Sequence, residues 1–316
     1  MHVRELDART APDADLLAIH TIEQACIPEI VPGEPGRSAD EAIAFMRFQP
    51  DTHESYNWLG DGGFASLYIH GSKATFLHLL VHPEERRAGL GAELLERAVA
   101  RARERGCEVV HGHYATPAGA AFAARFGAVD GQREVRSLLR LSSAELPLPN
   151  LPAGWRLVTW LTRVPDKHLG AFVRARAAMD DAPGSEEIDY PTASAERVRA
   201  SEDSLIERAR EMRVTVAMRD DGEIGAFTEL RVSRGSTLGF TDDTGTVAAH
   251  RRRGLARAVK LESLRRLRDD HPEITVVTTS NAEENTAMRR VNERAGFRPS
   301  AVETTATLDL SVSYPS

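Results

Sequence analysis

The chain has 316 residues, 41% of them hydrophobic and 28% charged, an ordinary globular composition at a length that points to two domains rather than one. Its formal net charge of −7 argues against a protein that coats nucleic acid. Two distant cysteines, Cys26 and Cys107, without C-x-x-C spacing indicate neither a zinc site nor a disulfide framework, and no apolar stretch approaches the roughly 20 residues needed to span a bilayer.

The amino terminus is charged and interrupted by Pro12, unlike a secretory signal, so a cytoplasmic protein without metal or membrane partner is expected. From His20 to Trp58 the pattern is irregular, and Ile30 to Gly36 reads as a loop able to act as a lid. Thr75 to Val81 reads as a buried strand ended by His82-Pro83. After a turn of arginines and glycines, Leu90, Leu94, Leu95, Ala98, Val99 and Ala102 line one side of a helix that Gly106 stops. A strand at Cys107 to Val110, a small-residue helix from Pro117 to Phe126 capped by Gly127, and a strand at Glu134 to Leu141 complete the first half.

Ser142 to Gly154 (SSAELPLPNLPAG) excludes long regular structure and reads as a linker. The expected division is a domain over 1–141, a linker over 142–154 and a second domain over 155–316. Beyond the linker lie a strand at Trp155 to Trp160, helices near Leu169 to Met179 and Ala193 to Glu211, and a hairpin through Asp220-Asp221-Gly222. Asp180 to Pro191 is a second lid candidate. Its acidic residues offer attraction for a polycation or simply a solvated loop. The core order then returns: strand Leu238 to Val247, a helix from about Gly254 to Asp269, strand Ile274 to Ser280, a helix from about Glu284 to Ala295, and strand Thr304 to Val312. Arg86 recurs as Arg251, an offset of 165 residues, and a duplication is the simplest account.

The repeated turns are Arg86-Arg87-Ala88-Gly89-Leu90-Gly91 and Arg251-Arg252-Arg253-Gly254-Leu255-Ala256. Each follows a strand and opens a helix, so its backbone N–H groups gather at the positive end of the helix dipole, a cradle for an anion. Gly89 and Gly254 admit a phosphate to the backbone, and Gly91 or Ala256 keeps the first helical turn slim. The lysine and hydroxyl of a P-loop and the three-glycine dinucleotide fingerprint are both missing, which disfavors nucleoside triphosphate and NAD. A tight helix start with solvated arginines is the plainer alternative for either turn alone.

These turns resemble the Q/R-x-x-G-x-G/A loop of the GNAT superfamily of N-acetyltransferases, and the resemblance covers roughly Thr75 to Leu141 and Leu238 to Leu310. The second copy also carries Asn281-Ala282-Glu283-Glu284-Asn285 and Asn292-Glu293-Arg294-Ala295-Gly296-Phe297, similar to the family's segment after the fifth strand. The resemblance implies an α/β (α+β) fold of two tandem GNAT-like domains, each a mixed, mostly antiparallel sheet flanked by helices. It implies acetyl-CoA as co-substrate, its pyrophosphate on Arg86 to Ala92 and Arg251 to Arg257 and its pantetheine arm on amides near Val81, Thr246 and Val247, with a contact from Asn285. It implies that the strand splays there, which Gly245 would permit.

An alkylammonium of pKa about 10 must lose a proton before attacking a thioester, so a base or water relay is required. In the resembled family the base commonly lies nine or eleven residues before the loop's first Q/R. Those positions are Asp242 and Phe240 in the second half, Leu77 and Thr75 in the first. Asp242 is therefore the candidate base, expected to be partly buried or to work through water, with capping of a bend or pairing with an arginine as the structural alternative. His78 lies on the opposite strand phase and reads as a core or surface residue; His111, His113 and Tyr114 line a cleft or close a turn. The family's tyrosine acid is replaced by Ala123 and Asn292; Asn292 hydrogen-bonds but is no acid, which leaves water as proton donor. Helix capping is the alternative for Asn285 and Asn281.

The leading reading is acetyl transfer to a primary amine of a small molecule, with chemistry in the second domain and a first domain that binds CoA without reacting. A non-catalytic acyl-CoA sensor or scaffold is the competing class. A nucleic-acid surface is disfavored by the acidic total and the lack of interleaved aromatics. Two homologous domains in one chain favor a monomer over a homodimer.

Overall fold

The computed structural model describes residues 2–48, 54–70, 74–179, 193–207 and 210–311. In chain order they form β1 (Arg4–Leu6), α1 (Asp13–Ile30), α2 (Ala39–Arg47), β2 (Glu54–Gly60), β3 (Gly63–His70), β4 (Ala74–Val81), α3 (Leu90–Glu104), β5 (Val109–Tyr114), α4 (Pro117–Arg125) and β6 (Val129–Arg140). The order repeats as β7 (Arg156–Leu161), α5 (Asp166–Arg176), α6 (Ala195–Glu207), β8 (Arg210–Met218), β9 (Ile224–Ser233), β10 (Leu238–Thr246), α7 (Leu255–Asp270), β11 (Val276–Ala282), α8 (Thr286–Arg294) and β12 (Arg298–Asp309). No helix among the described residues is long and apolar enough to cross a membrane. The expected lid Asp180 to Pro191 lies outside the described residues.

The chain forms two compact units, Met1–Arg133 with Ala301–Ser316, and Glu134–Ser300. This division differs from the contiguous one expected, because each half gives its last strand to the other half's sheet. β12 pairs antiparallel with β5, from Thr304↔Tyr114 to Asp309↔Val109. β6 pairs antiparallel with β11, from Val276↔Arg140 to Ala282↔Glu134. Each exchanged strand covers an edge that would otherwise expose unpaired backbone. The proline-rich segment after β6 is not a free linker either: Leu146 and Leu151 pack into the second unit's core.

In the first unit, β1, β2, β3 and β4 are antiparallel neighbors and β4 runs parallel to β5. The apolar stripe of α3, from Leu90 to Ala102, covers one sheet face against Ala65, Leu67, Ile69 and Val110. Leu16, Ile19, Ile22 and Cys26 of α1 cover the opposite face against Leu59 and Phe64. The sequence hides α1, since Pro28 stands inside it and Leu17 is exposed beside the buried stripe.

The second unit repeats the plan, with β7, β8, β9 and β10 antiparallel and β10 parallel to β11. Leu261, Leu264 and Leu267 of α7 pack on Leu230, Val232, Val277 and the exchanged Leu139. Phe172 and Ala175 of α5 fill the other face with Trp160, Val216 and Phe227. The helix expected over Ala193 to Glu211 ends at Glu207, and Glu211 already belongs to β8.

Candidate functional site

In each unit a parallel strand pair opens beside the arginine-glycine turn. β4 meets β5 at Phe76↔His111, and β10 meets β11 only from Leu238↔Val276 to Phe240↔Thr278. The antiparallel neighbor decides which amides face the gap. His82 N–H donates to Gly62 O at 2.7 Å, and Val247 N–H to Gly225 O at 2.9 Å. Hydrogen bonding alternates along such a ladder, so Val81 and Thr246 turn their N–H groups toward the gap. Val247, expected to serve the same purpose, has its amide committed to β9.

The two turns share one backbone conformation. Arg87 and Arg252 have φ of 69° and 64°, and Gly89 and Gly254 cap their helices in the left-handed region at 90° and 79°. No side chain caps either helix, which leaves the first-turn N–H groups to an external acceptor. A Cβ on Gly254 would meet nothing within 4 Å. Leu90 and Leu255 are buried, so only their backbones face the turn. The first arginine of each turn also reaches back to the strand: Arg86 Nε donates to Val81 O at 3.1 Å, and Arg251 Nε to Thr246 O at 3.3 Å. Each is a clasp from turn to strand. Arg86 is held further by Glu29 at 2.8 Å. Arg257 Nε donates to Arg294 O at 3.2 Å, tying α7 to α8. Arg87, Ala88, Arg252 and Arg253 are exposed, and Ala92 and Ala256 are half-buried.

Beside the second gap lies a cavity of about 470 Å³ lined by β9, β10, β11, α5, α6 and β6 residues. The register of β10 against β9 shifts between Thr241↔Leu230 and Thr244↔Thr228. Asp242 and Asp243 therefore share the place opposite Glu229, a bulge that re-aims side chains. Gly245 is not the source of this distortion; its missing Cβ leaves room for Phe227, whose ring would stand 2.6 Å from it.

Asp242 lines the cavity and is gripped by Arg231, with Nε–Oδ2 2.9 Å and Nη2–Oδ1 3.0 Å. Glu229 is the more strongly perturbed carboxyl. It is 7% exposed, and burial pushes its pKa up to about 7, Arg176 opposing and Asp243 adding to the rise. Burial also raises Asp243, against the pull of Arg176. Arg176 of α5 bridges the two, reaching Glu229 Oε1 at 2.5 Å and Asp243 Oδ2 at 2.6 Å. A carboxyl that titrates near neutrality in a cleft has the properties of a general base. Sequence reasoning missed Glu229, Arg176 and Arg136. The available signal was the acid in Thr228-Glu229-Leu230-Arg231, whose alternate neighbor Phe227 is apolar.

Asn292 is buried, and its Nδ2 donates to Asn281 Oδ1 at 2.5 Å while its own Oδ1 has no partner. Asn285 caps α8, its Oδ1 accepting from Met288 N–H at 3.1 Å. Among the described residues, the first unit has no counterpart to the carboxylate cluster. The β3–β4 register runs without a shift, Leu77 packs against the α3 core, and the side chain of Thr75 lies outside the described residues. His78 faces α1, the side where the second unit holds its cavity, with its ring edge-on to Phe64 at 5.3 Å and the residue exposed. Desolvation by the protein around it takes its pKa down to about 4. His111, His113 and Tyr114 extend β5 beyond its expected end, and His111 Nδ1 lies 2.9 Å from Thr307 Oγ1. Among the described residues no group of three His, Cys, Asp or Glu is placed to hold a metal ion.

Residues 18–128 match the acetyltransferase (GNAT) family. No curated protein matches the chain. Among solved structures, a tandem GNAT protein from the clavulanic acid biosynthesis pathway is 25% identical with a TM-score of 0.81, over 99% of each chain. A GCN5-related N-acetyltransferase from Sphaerobacter thermophilus shares the fold at 18% identity and a TM-score of 0.76, over 99% of this chain and 96% of that one. A GNAT-family acetyltransferase from Colwellia psychrerythraea shares it at 15% and 0.59, over 98% and 100%. The duplicated turn, the opened parallel strands and these matches agree: residues 18–128 carry a GNAT acetyltransferase domain, and the whole chain has the fold of a tandem GNAT protein.

Proposed function

We propose that the second unit transfers an acetyl group from acetyl-CoA to a primary amine of a small molecule, by direct attack of the amine on the thioester. The observation that carries this reading is the bulge that sets Asp242 and Asp243 opposite Glu229 beside the open strands. The amides of the Gly254 turn hold the pyrophosphate, and Thr246 N–H donates a hydrogen bond to the developing oxyanion of the thioester carbonyl. Glu229 takes the amine's proton as the N–C bond forms; the C–S bond then breaks and the thiolate is protonated by water. Asp242 contributes charge that attracts the ammonium form, rather than acting as the base. Asn292 holds Asn281 at the end of β11, and Asn285 has Nδ2 left for the pantetheine arm.

The first unit, with its unbroken β4 register and Arg86 drawn to Glu29, binds CoA without reacting. A monomer is the working form, since the exchanged strands complete each sheet within one chain. The test is thioester consumption with a panel of amines. Wild type should release CoA in an amine-dependent way, and Glu229→Gln should lower that rate roughly 100-fold. Silence with every amine despite intact acetyl-CoA binding would instead establish a sensor.

A further inference from the structure

Two adjacent rows of side chains floor the cavity of the second unit. Met212, Arg231 and Phe240 are register partners across β8, β9 and β10, so they share one face of the sheet. Two residues along β9, about 7 Å away, the next row on that face holds Glu229 with Asp242 and Asp243. The charged row is internally matched. Arg231 grips Asp242 through both oxygens, and Arg176 bridges Glu229 and Asp243. Arg136, which also lines the cavity, has a partner of its own. Among the described residues of the lining, every carboxylate and every guanidinium is therefore committed. The other row is apolar where it meets the cavity: Met212 and Phe240 both line it and are half-buried. The Arg231 guanidinium, 5.1 Å from the Phe240 ring centroid, holds that ring in place.

We infer that the acceptor is a hydrophobic monoamine, with its amine at Glu229 and an apolar body, alkyl or aryl, laid against Phe240 and Met212. This rests on the proposal that the cavity receives the acceptor. An amino acid would bring a carboxylate to guanidiniums that other groups already hold, and a diamine would bring a second ammonium to carboxylates that are already matched. Either extra charge would leave water without a partner to replace it. An apolar body, by contrast, gains by leaving water against the half-buried row, and an aryl group adds ring contact with Phe240. The spacing of the rows places that body a short chain away from the reacting nitrogen. Phe240, two residues before Asp242 on the same strand, is thus the specificity-determining side chain, and Met212 extends its surface.

The full-length protein would be assayed with acetyl-CoA and matched pairs of amines, phenethylamine beside phenylalanine and hexylamine beside hexamethylenediamine. Wild type should prefer the monoamine of each pair by roughly 10-fold or more in kcat/KM. Along a series of linear alkylamines, kcat/KM should rise roughly fourfold per methylene until the cavity is filled. Phe240→Ala should lower kcat/KM roughly 10-fold more for phenethylamine than for methylamine, and Phe240→Leu, which keeps apolar bulk at that place, should restore part of the difference. Preference for the amino acid or the diamine, a flat alkyl series, or an equal loss on phenethylamine and methylamine would overturn the inference. Should no amine be acetylated, the transfer reading fails, and calorimetric titration of the same amines tests the inference by itself. Binding that strengthens along the alkyl series and weakens in Phe240→Ala would sustain it; binding that is absent, or that follows charge rather than chain length, would end it.

Discussion

Acetyl transfer should carry the titration of Glu229 in its pH profile. Only the carboxylate form accepts the amine's proton, so kcat/KM expressed per free-base amine should follow the ionised fraction of a group near pH 7. That fraction is about 9% one pH unit below the midpoint and about 91% one unit above it, which predicts a roughly tenfold rise across the window. Two substitutions should move the midpoint in opposite directions. Arg176→Met removes the cation that opposes burial, so the midpoint climbs; Asp243→Asn removes a neighboring anion, so it falls, each by roughly one pH unit. Glu229→Gln should erase the titration. The assay is thiol release measured with one acceptor at saturating acetyl-CoA, corrected for the acceptor's own ionisation. A flat corrected profile, or two variants that shift the same way, would refute Glu229 as the base and return that role to Asp242.

Lys260 is 2% exposed with its ammonium 5.5 Å from the Phe297 ring, and burial takes its pKa from 10.5 down to about 7. The unfolded chain holds this proton more tightly, so Lys260's contribution is fully present above pH 10.5 and lost as pH falls through 7. Lys260→Met should therefore stabilise the protein at neutral pH, by roughly 1–4 kcal/mol, and flatten urea-melt stability between those limits. Gly245→Ala forces a Cβ to within 2.6 Å of the buried Phe227 ring and should cost about 1–3 kcal/mol in thermal unfolding; an unchanged midpoint would show that Phe227 yields freely. A chain beginning at Ser142 loses β6, leaving β11 without its antiparallel neighbor and the core without Leu139. It should fail to give a cooperative unfolding transition, and a soluble, cooperatively folding product would contradict the strand exchange.

The parts legible in the sequence are those written locally. The α3 stripe from Leu90 to Ala102 and the repeated glycine turns announce themselves by periodicity and by residues that tolerate positive φ. Strand alternation, by contrast, tells which side of a strand is apolar but not which strand lies beside it, so the exchange of β6 and β12 had no local signal. The bulge at Asp242–Asp243 contains no glycine to mark it. Glu229 stayed hidden because an acid in a hairpin strand reads as a solvent-facing residue. Its burial depends on Arg176, 53 residues earlier in the chain, which only the folded unit brings to it. His78 shows the converse: it is exposed, which agrees with the surface alternative of its reading, although it faces the side on which the second unit opens its cavity.

The central claim is that chemistry belongs to the second unit. A structure of the full chain with acetyl-CoA tests it most directly. The account predicts pyrophosphate at the Gly254 turn and the thioester carbonyl within hydrogen-bond distance of Thr246 N–H, on the side where Glu229 lines the cavity. Acetyl-CoA held only between β4 and β5, with the second turn empty, would contradict it.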